Sequence, residues 1–233
     1  MRQVPYYLII GNGRVAHHFQ HYFSLLPLPF TTWHRQESLE DLAERIKSAS
    51  HILLLIRDDA IENFIRLYLQ NLSIVHFSGS LVTPLAYGAH PLMTFNNRLY
   101  TLEHYQSIPF VLDHNAPAFE NILPGLPNQH VRLDTALKAK YHALCVLSGN
   151  FSCLLWQKLF SSLEKEFKFP ASIAHTFIQQ QTQNLVDNYQ TALTGPLPRN
   201  DLLTLEKNLL ALNGDPFQQI YQAFITCYPQ RAL

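Results

Sequence analysis

Cysteine is scarce in this chain. Cys145, Cys153 and Cys227 are the only three in 233 residues, an odd number with no Cys-x-x-Cys spacing. They argue against a disulfide framework and read most simply as free thiols of a reducing compartment, the cytoplasm. An excess of either charge is also missing: 17 Lys and Arg balance 17 Asp and Glu, and no basic cluster stands out. That balance speaks against an electrostatic nucleic-acid binder. No apolar run reaches bilayer length. The uncharged, largely apolar run Tyr141 to Gln157 contains His142, Asn150 and Gln157 and reads as a buried helix, not a membrane segment. A charged-then-apolar leader pattern is missing too, because the first apolar run passes straight into a glycine turn. There is no internal repeat or low-complexity tract. What is there is ordinary globular material, 47% apolar and 15% charged, long enough for one large domain or two small ones around a sizeable core.

The first half alternates between two periodicities. Tyr6–Ile10 reads as a strand and Arg14–Leu25 as a helix; Pro29–Trp33 is a second strand, and Ser38 opens a helix with Asp41 in the capping-box position. His51–Ile56 is a nearly unbroken apolar run, as a central parallel strand covered on both faces requires. Asp59–Gln70 is helical, Ser73–Phe77 a further strand, and Ile108–Leu112 and His130–Leu133 later ones. Strands alternating with helices predict an α/β doubly wound sheet. From about Thr135 the strand signals stop. Helices are predicted over Ala136–Phe167, Ala171–Leu193, Leu202–Leu212 and Phe217–Tyr228, divided by Gly195-Pro196-Leu197-Pro198 and Asn213-Gly214-Asp215-Pro216. The expected organisation is an α/β domain over 1–134 and an all-α domain over 135–233.

The junction of the first strand and helix carries the chemistry. Tyr6-Tyr7-Leu8-Ile9-Ile10 runs into Gly11-Asn12-Gly13-Arg14-Val15-Ala16, a Gly-x-Gly-x-x-Ala turn between strand and helix. Gly11 permits the tight turn, Gly13 lets backbone approach a pyrophosphate, and Ala16 allows close helix–strand packing. The pyrophosphate would rest on free N–H groups at the helix start. The turn segment Gly11, Asn12, Gly13, Arg14 and Val15 is therefore the core of a dinucleotide-binding set. An acidic residue about 20 positions further on selects NAD by accepting from the ribose hydroxyls, whereas an arginine suits a 2′-phosphate. Here the second strand ends Thr32-Trp33-His34-Arg35, with no Asp or Glu before Glu37. NADP is expected over NAD, with Arg35 on the phosphate and Thr32 or His34 assisting; the alternative is that Arg35 is a solvated loop charge.

Several further stretches recur together. Leu53-Leu54-Leu55-Ile56-Arg57-Asp58-Asp59-Ala60-Ile61 looks like a strand and turn of the 6-phosphogluconate dehydrogenase-like superfamily, which adds Ile56 and Arg57 to the cofactor set. Then come His76-Phe77-Ser78-Gly79-Ser80, Gly88-Ala89-His90-Pro91-Leu92-Met93-Thr94-Phe95, Lys140-Tyr141-His142-Ala143 leading to Asn150, Ala192-Leu193-Thr194-Gly195-Pro196, and Arg199-Asn200-Asp201. Over nearly its whole length the chain resembles an uncharacterised family of candidate NADP oxidoreductases. Those have a Rossmann-like domain followed by a helical domain of unknown function, related to pyrroline-5-carboxylate reductase-like proteins. By analogy with that reductase and the β-hydroxyacid dehydrogenases, the resemblance implies a helical domain that closes over the nicotinamide end and forms a dimer contact. One departure matters. β-Hydroxyacid dehydrogenases place an acid/base lysine four residues before an asparagine; if Asn150 is that asparagine, the lysine position holds Val146, which transfers no proton.

The candidate substrate end follows from position and residue type. Ser78-Gly79-Ser80 lies past a strand's carboxyl end, where open α/β sheets bind ligands, and resembles the Ser-Gly-Gly substrate loop of those dehydrogenases; Ser-Gly is also common turn chemistry. His90, before Pro91, is held extended and is a candidate general acid, or else a loop histidine bonded to backbone. His142 and Asn150 are polar exceptions on an apolar helix; eight residues apart, they project about 80° from each other, so both can border one cleft, although a core histidine with its own partner is the simpler fate of His142. His17 and His21 have metal-ligand spacing but no acidic or thiol companion, and read as surface histidines. The aromatic stripe Phe217, Tyr221, Phe224 and Tyr228 suits a core or dimer contact.

The leading expectation is an NADP-dependent oxidoreductase exchanging hydride with a small carbonyl, imine or hydroxy compound, with His90 or His142 giving the proton and neither nucleic acid nor membrane as partner. Two alternatives stay open: a dinucleotide-binding sensor without turnover, supported by Val146, and a scaffold that only dimerises.

Overall fold

Tyr7–Ile10 forms β1, all four side chains buried, because apolar residues on both faces suit a strand covered by helices on both sides. The computed structural model describes residues 4–69 and 73–228. The elements that follow are α1 (Arg14–Leu25), β2 (Phe30–Trp33), α2 (Leu39–Ser48), β3 (His51–Leu54), α3 (Asp58–Tyr68), β4 (Ile74–His76), β5 (Tyr87–Pro91), α4 (Leu102–Ser107), β6 (Phe110–Asp113), α5 (Phe119–Ile122) and β7 (His130–Leu133). The seven strands make one sheet in the order β2-β1-β3-β4-β5-β6-β7. The first five are mutually parallel; β6 runs antiparallel to β5 and parallel to β7.

Strand alternation sorts the core into two layers. Tyr7, Ile9, Leu53 and Val75 pack with Ala16, Phe19 and Phe23 of α1 on one face. Leu8, Ile10, Ile52, Leu54 and Ile74 pack with Leu42 of α2 and Ile61 and Ile65 of α3 on the other. Each such aliphatic side chain contributes about 1.5–3 kcal/mol by leaving water. This is the doubly wound Rossmann-like sheet the sequence predicts. The cap at Ser38 is present, its hydroxyl accepting from Asp41 N at 3.0 Å. Of the predicted helix Asp59–Gln70, Gln70 lies outside the described residues.

One alternative is corrected: His90 lies in β5, so it is a strand residue and not a loop histidine, and its expected extended backbone is what the strand shows. Proline is tolerated there because it ends the strand, where Leu92 N resumes bonding, to Pro109 O at 2.9 Å. The short α4 and α5 also escaped the periodicity, being under two turns long.

After β7 the described chain is helical: α6 (Lys138–Cys145), a π-helical segment over Val146–Phe151, α7 (Ser152–Lys165), α8 (His175–Asn188), α9 (Leu202–Ala211) and α10 (Phe217–Cys227). The continuous helical stretch Thr135–Lys165 is long and apolar enough, by length and composition alone, to cross a membrane, and it is not buried within the chain. The expected buried helix is thus corrected: Leu137, Leu144, Leu147, Phe151 and Leu154 are exposed. An apolar run signals that a surface avoids water without saying whether the same chain covers it.

The chain divides into compact units at Leu154/Leu155. The second unit packs Leu163, Ala174 and Leu205 in its interior. Trp156 meets Phe177 edge-on at 5.4 Å, and Lys158 pairs with Asp215. Of the aromatic stripe, Phe224 is exposed, whereas Phe217, Tyr221 and Tyr228 are half-buried.

Candidate functional site

Where β1 turns back to β2 on one side and β3 on the other, the carboxyl ends of the strands open a crevice, the place where such sheets bind ligands. A cleft of about 650 Å³ occupies it. Its walls are Gly11, Asn12 and Gly13 after β1, Trp33, His34, Arg35 and Gln36 after β2, and Leu55, Ile56 and Arg57 after β3. Gly11 adopts φ +133°, and a Cβ there would overlap the Leu55 carbonyl oxygen, so the turn requires glycine. Gly13 differs: a Cβ would meet nothing within 4 Å, so its bareness leaves room for something outside the chain. It also caps α1 with no side chain bonded to the first-turn N–H groups and no acid in that turn. Open backbone donors at a helix start favour an anion. The cradle fits a dinucleotide.

Of the expected cofactor residues, Gly11, Asn12, Gly13, His34, Arg35, Ile56 and Arg57 line this cleft. Val15 lines the adjoining cavity instead. Arg14 lines neither; it is exposed and reaches Phe95 O at 3.4 Å. Thr32 lines neither, since strand alternation turns it to the face opposite Trp33, and its carbonyl accepts from Arg45. Arg45 also pairs with Glu37 at 2.5 Å.

A second cavity of about 240 Å³ adjoins, lined by Val15, Leu55, Ile56, Asp58, Phe77, Ser78, His90, Met93 and Phe95 among others. His90 projects from β5 and its Nδ1 lies 2.9 Å from the Tyr141 hydroxyl of α6. Its Nε2 would sit 3.0 Å from a Cβ at Gly79, and His142 closes on the same glycine. The His90 and His142 rings stand edge to face with centroids 6.0 Å apart. Burial, reinforced by His142 and Lys138, pushes the His90 pKa down to about 4, so its ring is neutral at pH 7. Burial raises the Tyr141 phenol, with Cys145 one turn on acting the same way.

Beneath this group lies a polar layer that sequence reasoning missed. Lys138 Nζ donates to Asp113 Oδ1 at 2.6 Å with both side chains almost wholly buried. Asp113 Oδ2 accepts from Gly88 N at 2.9 Å. A Cβ on Gly88 would collide with both partners of the pair, so the glycine in β5 makes their room. Lys138, Tyr141 and His142 occupy positions i, i+3 and i+4 of α6 and share one face, which the ion pair fixes to the sheet. His76, beside Leu54 and Gly88 in the ladder, is fully buried with both ring nitrogens unpartnered. Desolvation brings its pKa down to about 4.

The structure therefore brings Ser78, Gly79, His90 and His142 together and leaves Ser80 and Asn150 aside. Ser78 Oγ donates to Asp58 and accepts from Ser80 N at 3.2 Å and Leu81 N at 2.9 Å, so it builds its loop and has no proton left for a ligand. Ser80 is exposed, 3.4 Å from Asp58 Oδ2. Asn150 is exposed on the π-helical segment and lines neither cavity. His17 is exposed and bonded to Asn12 Oδ1, and no group of three metal-ligating side chains occurs among the described residues. Tyr141 sat beside His142 in the sequence but carried no signal of its own. Lys138 and Asp113, 25 residues apart, carried none for each other.

Residues 112–226 match the family described as a domain of unknown function (DUF2520). No curated protein matches the sequence. Among solved structures, a candidate NADP oxidoreductase of Bacteroides fragilis superposes with TM-score 0.76 at 20% identity over 97% of this chain and 98% of that one. A protein of Thermotoga maritima gives TM-score 0.64 at 20% identity over 94% and 95%. A reductive aminase of Aspergillus terreus, solved with NADPH and ethyl levulinate, gives 0.66 at 14% over 96% and 93%. At these identities the likeness is one of fold, and it bears out a Rossmann-like sheet followed by helices.

Proposed function

We propose that this chain is an NAD(P)-dependent oxidoreductase, with NADP preferred, that exchanges hydride with a small carbonyl, imine or hydroxy compound. The observation that carries the reading is the adjacency of two spaces. The glycine-walled cleft at the β1–β3 switch shares Leu55 and Ile56 with a smaller cavity on which His90 opens. The solved neighbours that name NADP or NADPH support it by likeness of fold. Gly11, Asn12, Gly13, Ile56 and Arg57 hold the dinucleotide, and Arg35 with His34 takes the 2′-phosphate. Bound there, the cofactor supplies or accepts the hydride, and the chain has to position substrate and manage a proton.

His90 does the first of these. His90 Nδ1 lies 2.9 Å from the Tyr141 hydroxyl; in this reading the hydroxyl donates, which leaves the ring proton on Nε2, the nitrogen nearer Gly79. A neutral imidazole with a depressed pKa is a hydrogen-bond donor that polarises a substrate oxygen or nitrogen without giving up its proton. His142, whose ring has no hydrogen bond among the described residues, gives or takes the proton. This pair replaces the lysine that Val146 excludes. The reading includes a homodimer through Thr135–Leu154, whose apolar side chains are exposed, and a reducing compartment such as the cytoplasm, in keeping with three unpaired cysteines.

The test is NADPH binding by calorimetry, followed by NADPH oxidation against keto acids, cyclic imines and semialdehydes. Tyr141→Phe is expected to lower kcat by about 10²-fold with NADPH affinity unchanged, the usual size for a positioned proton-handling group. His90→Ala and His142→Ala are expected to lose turnover and keep binding. Binding with no turnover on any substrate would favour the sensor; no dinucleotide binding would overturn the reading.

A further inference from the structure

The cleft wall after β2 holds no carboxylate among the described residues, although Glu37 is next in sequence to Gln36, which lines it. Glu37 is turned away. Its Oε1 accepts from His34 N at 3.0 Å, closing the turn together with Glu37 N to His34 O at 2.9 Å. Its Oε2 pairs with Arg45 Nη2 at 2.5 Å, while Arg45 Nη1 reaches the Thr32 carbonyl. The guanidinium therefore bridges the β2 backbone and Glu37, a fork that lysine does not supply. Both side chains are about one-quarter exposed, so water screens the pair only in part. The hydrogen bond from Arg45 holds the Glu37 carboxyl below the ordinary range, and it is ionised at neutral pH.

A free carboxylate at this place in such a fold accepts from the ribose hydroxyls of NAD and repels a 2′-phosphate. We propose that Arg45 sets dinucleotide choice by holding the Glu37 carboxylate out of the ribose end of the cleft. Arg45 is a specificity-determining residue that acts through Glu37, leaving Arg35 to face the 2′-phosphate, while His34 Nε2 stays 3.6 Å from Glu37 Oε1. The inference rests on the reading of the cleft as a dinucleotide site. It differs from the role of Arg35, which touches the ligand: Arg45 acts by removing a competitor.

The test is the dissociation constants of NADPH and NADH for the intact protein, Arg45→Leu, Glu37→Gln and Arg45→Leu/Glu37→Gln. The wild type is expected to prefer NADPH. Arg45→Leu should lower that preference about tenfold or more, on the order of one water-screened charge contact. Glu37→Gln alone, which keeps an acceptor for His34 N, should leave it in place. The double variant should regain NADPH affinity, because its released side chain is neutral. A purely structural Arg45, needed only on the Thr32 carbonyl, gives no such rescue, and that result overturns the proposal. So does a wild type that prefers NADH, or an Arg45→Leu protein with unchanged preference. If Arg45→Leu does not fold, Arg45→Gln, which keeps a donor for the Thr32 carbonyl and no charge for Glu37, reads out the same rescue with and without Glu37→Gln. A wild type that binds neither dinucleotide defeats the reading of the cleft instead.

Discussion

Gly11 and Gly13 stand two positions apart and answer to different constraints. Gly11 is held by the fold, through its φ and the Leu55 carbonyl, whereas Gly13 has ordinary φ of −89° and empty surroundings. Gly13→Ala should therefore keep its melting temperature within about 2 °C, as surface changes do. NADPH affinity should fall more than about tenfold, because the added methyl takes the space of the pyrophosphate. Unchanged affinity would show that the empty space is not where the ligand lies. His76 poses the converse case, a polar group held by the fold with no partner. Its pKa is pushed down to about 4, whereas the unfolded chain titrates near 6.5. The unfolded state thus binds the extra proton between these values, and stability falls as pH drops from 6.5 towards 4. The loss reaches about 3 kcal/mol, at about 1.4 kcal/mol per pKa unit. His76→Leu should flatten that acid limb and stabilise at neutral pH, as seen in urea midpoints across pH; an unchanged acid limb would mean that another group carries it.

Helix α6 joins fold to site. Its first residue is tied to β6 by the Lys138–Asp113 pair, and the turn above delivers Tyr141 and His142 to His90 and Gly79. Lys138→Met leaves a buried carboxylate alone and should cost about 3–5 kcal/mol. Adding Asp113→Asn removes that charge and keeps an acceptor for Gly88 N, so the double variant should recover at least half of the loss; additive losses in chemical denaturation would contradict a coupled pair. The same helix shows why the site was only partly readable. The stretch β1 to β4 follows from local signals: apolar runs, a capping serine, a glycine turn, each decided within a few neighbours. His90 was found as a residue, but its strand was not, because Gly88 and Pro91 look like breakers until β6 pairs alongside. Gly88 is a glycine on account of Lys138, fifty positions away, and no local pattern encodes that. Asn150 failed for a related reason: helical direction says which way a side chain leaves its helix, and not whether a distant element covers it, and Asn150 is exposed and lines neither cavity.

For the whole molecule, the unanswered demand is the apolar face of the long helix. Leu137, Leu144, Leu147, Phe151 and Leu154 are each about half exposed, a seam of apolar side chains along one continuous helical stretch. A membrane is a poor occupant for it, since Lys138 at the start of this helix is locked into the sheet by Asp113. A second copy is the better one, because burying five such side chains twice over supplies several kcal/mol to association. The protein is therefore expected to run at twice its chain mass in light scattering at micromolar concentration. Leu144→Glu/Leu147→Glu places charge in the seam and should give a monomer. The sheet of that monomer should stay folded, since neither residue lies in either core layer. Its NADPH affinity should be kept, because the glycine-walled cleft is built wholly from residues 10–64. A monomeric wild type, or a variant that remains dimeric, would assign the seam to something other than this chain.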